Sequence, residues 1–262
     1  MDRCLVMHLS FILVVTGTVQ AAEPSFQPVK CDGTYKQHLQ GVCTGEDSIF
    51  WCFTSQLVKT DRNGKVLKQI PVQAHHGDLC FHSGKVFVAV NFGTFNRAEE
   101  QADSWVYVYS GDDLSLVTKH SVPEVVYGAG GIAYHDGKFI VVGGLPPGFE
   151  ENYAYEYDEQ FMFVKKNVVT SGYTLMGIQT AAFADGYWWF GCYGDPKILL
   201  KVDESFEKVG RFEFDCSLGI VPVTDRQFLV ARGTSSKDKG CTGRLSLAQT
   251  DPKQGLTILD GD

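Results

Sequence analysis

The string His75-His76-Gly77-Asp78 holds the residue types with the most chemistry in this chain. Two imidazoles and a carboxylate can bind a divalent metal ion, and His38 would add a further imidazole if the fold brings it near. One imidazole oriented by a carboxylate can instead act as a general base. We therefore expect His76 and Asp78 to be catalytic residues, and His38, His76 and Asp78 to be candidate ligands of one divalent metal ion.

An internal repeat sets the framework that must position these side chains. Five segments of fifteen residues align without a gap, and they begin at Leu39, His76, Ala129, Ile178 and Leu218. Each consists of small or polar residues, a short apolar strand, a turn and a second apolar strand, and Asp136-Gly137 and Asp185-Gly186 are strong hairpin turns. Neighbouring copies start 37 to 53 residues apart (from 39 to 76 and from 76 to 129 at the extremes), a spacing typical of propeller blades.

Four of the repeats continue with a second shared pattern of a strand, an acidic turn and an outer strand. It is seen in LVKTDRNGKVLK, VYVYSGDDLSLVTK, AYEYDEQFMFVKK and LLKVDESFEKVG. Strand-forming residues dominate and no long segment has a helical period. The sequence therefore predicts an all-β fold, a five-bladed β-propeller of four-stranded antiparallel blades, with residues 22–262 forming a single domain.

Propeller topology brings distant polar residues together. The loops that precede the first strands and follow the second strands all open at one mouth of the central channel, where loops on a rigid scaffold commonly bind ligands. The polar residues expected at this mouth are candidate ligand-binding residues: His38, Gln40, His75, Asn91, Gln179, Tyr193 and Arg232. They differ from repeat to repeat, which favours one asymmetric site over five equivalent ones. Arg232 is the basic residue expected there, a natural partner for an anionic ligand group.

The N-terminus has the pattern of a secretory signal peptide. Arg3 precedes an apolar run from Cys4 to Val19, and small residues follow at Ala21 and Ala22. We predict a signal peptide over residues 1–21, with cleavage after Ala21 or Ala22. The mature protein would be secreted or periplasmic, with no membrane insertion after cleavage.

Seven cysteines would remain in the mature chain, and an oxidising compartment favours pairing some of them. An odd number leaves at least one thiol unpaired within the chain. We predict a disulfide between Cys31 and Cys241 that fastens the ring where it closes. Cys192 and Cys216, expected on the same face, form a second candidate pair.

The repeats resemble those of exported lactonase, NHL and YncE-like propellers. The resemblance lies in the order of residue types within each repeat. An innermost strand of the type Gly131-Ile132-Ala133 is followed by Asp-Gly-Lys and by a strand rich in β-branched residues. It implies a β-propeller over the mature chain. The gluconolactonase-like and paraoxonase-like members have six blades and bind a metal through Glu, Asn and Asp, whereas the matching positions here carry His, Gln and Asp in five repeats.

The net charge of the chain limits which kinds of partner it can bind, and it leaves two classes of function open. The net charge of −8 argues against nucleic acid, which requires a basic face, and against an anionic membrane surface. A small polar molecule is the expected partner. The protein is then either a hydrolase or lyase of a small polar substrate, with or without the assistance of a divalent metal ion, or a non-catalytic propeller that binds a ligand or a protein.

Overall fold

The computed structural model describes residues 28–236 and 238–259, and these residues form only strands, turns and loops. Over this part of the chain no helix has the length and apolar character needed to cross a membrane. The signal peptide prediction falls on residues 1–21, outside the described residues.

Four blades each consist of four consecutive antiparallel strands, and the strand order within every sheet follows the chain. Blade 1 comprises β2 (Gly41–Thr44), β3 (Ser48–Phe53), β4 (Gln56–Asp61) and β5 (Val66–Pro71). Blade 2 comprises β6 (His76–His82), β7 (Lys85–Asn91), β8 (Ser104–Ser110) and β9 (Leu116–Ser121). Blade 3 comprises β10 (Ala129–His135), β11 (Lys138–Gly143), β12 (Asn152–Asp158) and β13 (Phe163–Val169). Blade 4 comprises β14 (Leu175–Ala184), β15 (Tyr187–Tyr193), β16 (Ile198–Asp203) and β17 (Lys208–Glu213).

The fifth blade closes the ring with both ends of the described chain. Its inner strands are β18 (Ile220–Pro222), β19 (Gln227–Ser236) and β20 (Gly240–Asp251). The outer position is shared by β21 (Gly255–Ile258), which pairs with the second half of β20, and β1 (Val29–Lys30), which pairs with Leu245 and Arg244. The outer strand of blade 5 is thus made of two pieces of chain laid end to end.

The core lies between the blades. Apolar side chains form five buried clusters, and each cluster lies between two neighbouring blades. One of them lies between blade 5 and blade 1 and so completes the ring. Because successive side chains of a strand point to opposite faces, each blade contributes to the cluster on either side of it. Trp189 of blade 4 and Phe228 of blade 5, for example, meet with ring centroids 5.2 Å apart. The prediction of a closed five-bladed propeller is confirmed.

The hairpin turns are formed as the sequence predicts. Asp136 and Gly137 have φ of 47° and 76°, and Asp185 and Gly186 have φ of 55° and 71°. Two consecutive positive φ angles define the type I′ turn, whose twist matches that of the flanking strands. Glycine adopts the second position without steric cost.

The predicted disulfide between Cys31 and Cys241 is wrong, since both residues are free thiols. Both do lie where the ring closes, because the Cys31 N–H donates to Gly243 O at 3.0 Å. Their sulfurs have other neighbours, Tyr35 Oη at 3.3 Å from Cys31 and Ser235 Oγ at 3.5 Å from Cys241. Strand pairing to β20, not a covalent bond, fastens the ring.

The second candidate pair is also unformed. Cys192 and Cys216 are free, fully buried thiols. Burial raises the pKa of Cys192 to about 12 and that of Cys216 well above its usual value. Both therefore act as small apolar side chains within the blade interfaces.

Candidate functional site

A cavity of about 500 Å³ opens at the predicted mouth of the channel. Its walls come from blades 1 to 4, and the lining residues are His38, Gln40, His75, His76, Gly77, Asn91, Gly93, Phe95, Ala129, Gly130, Met176, Gln179 and Tyr193. All the predicted site residues are in this set except Asp78 and Arg232. The propeller topology thus places side chains that are up to 155 positions apart in sequence, His38 and Tyr193, around the same cavity.

Gln40 links three side chains at the rim of the cavity. Its Nε2 donates to His38 Nε2 at 2.9 Å and to Thr54 Oγ1 at 3.3 Å, and its Oε1 accepts from the Tyr193 hydroxyl at 3.5 Å. Since an amide N–H donates to it, His38 Nε2 is the acceptor and the ring proton of the neutral imidazole lies on Nδ1. Gln40 therefore fixes the tautomer and orientation of His38.

His38 is neutral at physiological pH. Burial is the largest cause that lowers its pKa, and the charge of nearby His75 lowers it further. Because the Nε2 lone pair accepts from Gln40, the ring offers its Nδ1–H as a hydrogen-bond donor.

Replacing His75 by glutamine should raise the pKa of His38, because it removes the like charge while leaving the burial in place. Titration of the His38 ring protons by NMR in the wild type and in H75Q measures the shift. The pKa should still lie below its usual value in H75Q. An unchanged pKa would show that the charge of His75 does not affect His38, and a lower pKa would show that His75 favours the protonated form; either contradicts the prediction.

His76 is held by the protein at both ring nitrogens. It is 1 % exposed, its Nδ1 donates to Gln73 O at 2.6 Å, and its Nε2 accepts from the Tyr109 hydroxyl at 2.8 Å. Burial lowers its pKa to about 4. His76 contributes to the cavity wall, and its ring joins the first strand of blade 2 to Tyr109 on the third strand and to the loop residue Gln73.

Asp78 lies on the channel axis beneath the cavity. Gly77 lines the upper cavity, and Leu79 lines a second cavity of about 200 Å³ at the far end of the channel, so Asp78 occupies the level between them. It is 2 % exposed, and its Oδ2 accepts from the Ala181 N–H of blade 4 at 3.2 Å. Gly41 of blade 1 leaves room for it, since a Cβ there would collide with Asp78 Cα.

The buried Asp78 carboxyl has an unusual protonation equilibrium. Burial raises its pKa well above the usual value, against the smaller opposing effect of nearby backbone amides. Oδ1 is buried and has no partner with hydrogen-bond geometry. The carboxyl is therefore placed to connect blades 2 and 4 rather than to contact a ligand in the upper cavity.

The predicted metal ligands do not form a metal site. His76 uses both nitrogens in other hydrogen bonds, and Asp78 lies below the space that His38 borders. Among the residues with described positions, no three His, Cys, Asp or Glu side chains are grouped as metal ligands. His38 and His76 line the same cavity, but Asp78 lies one level below it and both His76 ring nitrogens already have protein partners.

Asn91 and Gln179 differ in what they can offer a ligand. Asn91 Nδ2 donates to Gly93 O at 2.9 Å and its Oδ1 accepts from Asp103 N–H at 3.0 Å. These bonds hold both ends of the polar insert of blade 2, residues 92–103 between β7 and β8. Gln179 Nε2 donates to Met176 O at 2.6 Å, while no described residue donates to its Oε1. Gln179 is therefore the residue of the two with a free acceptor.

Sequence reasoning missed Phe95 and Met176, which supply the apolar part of the lining. Phe95 belongs to the polar insert of blade 2 and packs against Gly128, whose φ of 101° and missing Cβ leave space for the ring. The N–H of the next residue, Asn96, donates to Tyr127 O at 2.9 Å. The sequence feature that could have indicated Phe95 is that it is an isolated aromatic residue within a polar loop.

Comparison with known proteins gives structural likeness only. No protein-family profile and no curated protein sequence matches this chain. Among solved structures, the computationally designed Ika4 protein is similar with a TM-score of 0.39 and 13% identity, over 67% of this chain and 96% of that one. The WD40 beta propeller domain of Doa1 is similar with a TM-score of 0.44 and 10% identity, over 88% of this chain and 70% of that one. The chain is a five-bladed β-propeller by its own strand pairing.

Proposed function

We propose that this protein binds one small, uncharged, polar molecule at the channel mouth. The observation that carries the proposal is the chemistry of the cavity lining. Amides, imidazoles and a phenol surround about 500 Å³, and no Lys, Arg, Asp or Glu is among the described lining residues.

The lining favours a neutral ligand for an energetic reason. A charged molecule that leaves water for a partly enclosed site needs an opposite charge or strong compensating hydrogen bonds. The Gln179 Oε1, the Tyr193 hydroxyl and the His38 ring can instead exchange hydrogen bonds with hydroxyl or amide groups, and Phe95 offers an apolar wall. The volume is within the usual range for small-molecule sites, roughly 300–1,000 Å³.

Catalysis of hydrolysis or elimination is the second candidate, and the lowered pKa of His38 favours it. As a base, His38 would exchange its Nε2 hydrogen bond with Gln40 for one with the substrate, and an imidazole that is unprotonated at neutral pH can then remove a proton. Product analysis after incubation with each ligand found by binding separates the two candidates. Turnover that is lost in H38Q would establish catalysis, and an unchanged ligand would establish a binding protein.

Replacing Gln179 by alanine should weaken ligand binding by about ten-fold or more, because an unpaired polar group on the ligand costs roughly 1–3 kcal/mol. The wild type is screened by thermal shift against a panel of uncharged sugars and polyols, with sugar acids and amino sugars as charged counterparts. Dissociation constants of the hits are then measured by calorimetry. Gln160→Ala, in an exposed far-face turn, is the matched control and should bind like the wild type.

The proposal fails if charged panel members bind more tightly than their neutral counterparts. It also fails if Q179A binds as the wild type does. An equal loss in the Gln160→Ala control would show a non-specific effect of the substitution.

Export remains part of the proposal, because the N-terminal sequence has the features of a signal peptide. Expression of the full chain in a secretion-competent host should give a mature protein that begins at Ala22 or Glu23. Mass spectrometry of the N-terminal peptide measures this. Recovery of an intact N-terminus from the cell interior would contradict export.

A further inference from the structure

Thr54 occupies the tight turn that joins β3 to β4, next to the cavity but outside its lining. It is 5 % exposed and has a φ of 46°. The Ser55 N–H donates to Phe53 O across it, which closes a three-residue turn. A β-branched residue with positive φ in such a turn is strained, whereas glycine adopts the conformation freely. The backbone therefore favours glycine here, and the threonine side chain must compensate for the strain.

The Thr54 hydroxyl makes two hydrogen bonds whose directions are fixed. Its single proton is donated to the backbone carbonyl oxygen of His38 at 3.1 Å. Toward Gln40, 3.3 Å away, Oγ1 can then only accept. The group of Gln40 that faces it must therefore be the side-chain NH₂ and not the carbonyl oxygen. The hydroxyl thus determines which end of the Gln40 amide lies on which side.

The orientation of the Gln40 amide determines two further groups of the cavity. The same NH₂ group lies 2.9 Å from His38 Nε2, which must accept and so leaves the ring proton on Nδ1. The amide oxygen lies 3.5 Å from the Tyr193 hydroxyl, which must donate. A reversed amide would invert both bonds, with His38 protonated on Nε2 and Tyr193 accepting.

We propose that Thr54 is the positioning residue of the cavity, which fixes the orientation of the Gln40 amide and, through it, the tautomer of His38. Thr54 is itself held in place, because its carbonyl oxygen accepts from the His76 N–H at 3.1 Å. The consequence for a ligand rests on the proposed function. A neutral molecule in the cavity must present an acceptor, such as a hydroxyl or carbonyl oxygen, to the His38 Nδ1–H.

The experiment reads the tautomer of His38 in the ligand-free protein, by NMR of isotope-labelled histidine ring nitrogens at a pH where the ring is neutral. Wild-type His38 should show a protonated Nδ1 and an unprotonated Nε2. T54V keeps the branched shape without the hydroxyl, and T54G also relieves the backbone strain and so should fold readily. Both should lose the single wild-type tautomer and show a mixture of the two. T54S, which keeps a hydroxyl, should retain the wild-type spectrum.

Thr60→Val is the matched control. Thr60 is a buried threonine of the same blade, and its hydroxyl accepts from Trp51 Nε1 at 3.0 Å, outside the cavity lining. T60V should leave the His38 spectrum unchanged.

Three outcomes would overturn the proposal: wild-type His38 protonated on Nε2, the wild-type tautomer retained in T54V and T54G, or an equal change in T60V. Because these spectra are recorded without a ligand, they are independent of the ligand screen. A screen without a neutral ligand would refute the proposed function and leave the tautomer result unaffected.

Discussion

Asp78→Asn should be more stable than the wild type at neutral pH, and its advantage should grow as pH rises. The native Asp78 carboxyl has a raised pKa because it is buried, whereas in the unfolded chain it ionises near pH 4. Between these two values the native state binds a proton that the unfolded state has released. Each pH unit in this window therefore removes about 1.4 kcal/mol from the unfolding free energy of the wild type.

Asparagine avoids this loss because it has no proton to release. Its side-chain oxygen can still accept from the Ala181 N–H, as Asp78 Oδ2 does at 3.2 Å. The two proteins should be nearly equal in stability below about pH 4, where both side chains are neutral in both states. Urea unfolding at half-unit steps from pH 4 to pH 8 measures the difference.

Asp78→Ala serves as the control, because it removes both the ionisation and the acceptor. It should be destabilised by about 1–3 kcal/mol at low pH, where ionisation plays no part, since the buried Ala181 N–H loses its partner. A constant difference between D78N and the wild type across the pH range would show that native Asp78 ionises normally. In that case the carboxylate would be a stabilising anion on the channel axis.

Leu256→Ala should destabilise the protein by about 2–5 kcal/mol, because it leaves a cavity at the seam of the ring. Leu256 lies on β21, is 0 % exposed, and packs in the cluster between blades 4 and 5. In a protein of this size, a loss of 1 kcal/mol lowers Tm by roughly 2–4 °C, so the shift is large enough to measure by calorimetry.

Leu116→Ala is the matched control, because Leu116 lies on β9, the outer strand of blade 2, and is 54 % exposed. Its stability should change by no more than about 0.5 kcal/mol. Equal effects of the two substitutions would mean that the outer strand of blade 5 contributes no more than any other outer strand.

The repeat pattern predicted the fold because each copy encodes one hairpin and one side of two blade interfaces. Asp136-Gly137 and Asp185-Gly186 specify their turns locally, and the apolar alternation specifies which face is buried. The position of the site was predicted from propeller topology, which places the loops before the first strands and after the second strands at one mouth of the channel. Hence His38, Gln40, Gln179 and the other lining residues that the repeats place there are found around one cavity.

Asp78 and Arg232 do not line the cavity, because of one-residue differences in depth and direction. Asp78 follows cavity-lining Gly77 by one position, which is enough to move it to the next level of the channel. Arg232 follows Ala231, and the alternation of the strand turns it toward blade 4. A sequence pattern indicates the strand and the end of the strand, but the level of Asp78 and the direction of Arg232 each change with a shift of one residue.

The disulfide error has a related cause. Cys31 and Cys241 were correctly placed near the closure, yet bonding requires that both side chains point toward each other. Their sulfurs instead contact Tyr35 and Ser235. Proximity in the fold can be inferred from repeats, whereas side-chain direction at an irregular junction cannot.

The two pieces of the outer strand of blade 5 bring the two ends of the described chain next to each other, in line and running in the same direction. The Leu259 N–H donates to Leu247 O at 2.7 Å, and Val29 pairs with Leu245 only two residues further along β20. A strand advances about 3.3 Å per residue, so a peptide linker of a few residues could join position 259 to position 28 along the same line. The chain could then be opened at another exposed turn, such as Asp185-Gly186, and the five blades would follow one another in a permuted order around an unchanged ring.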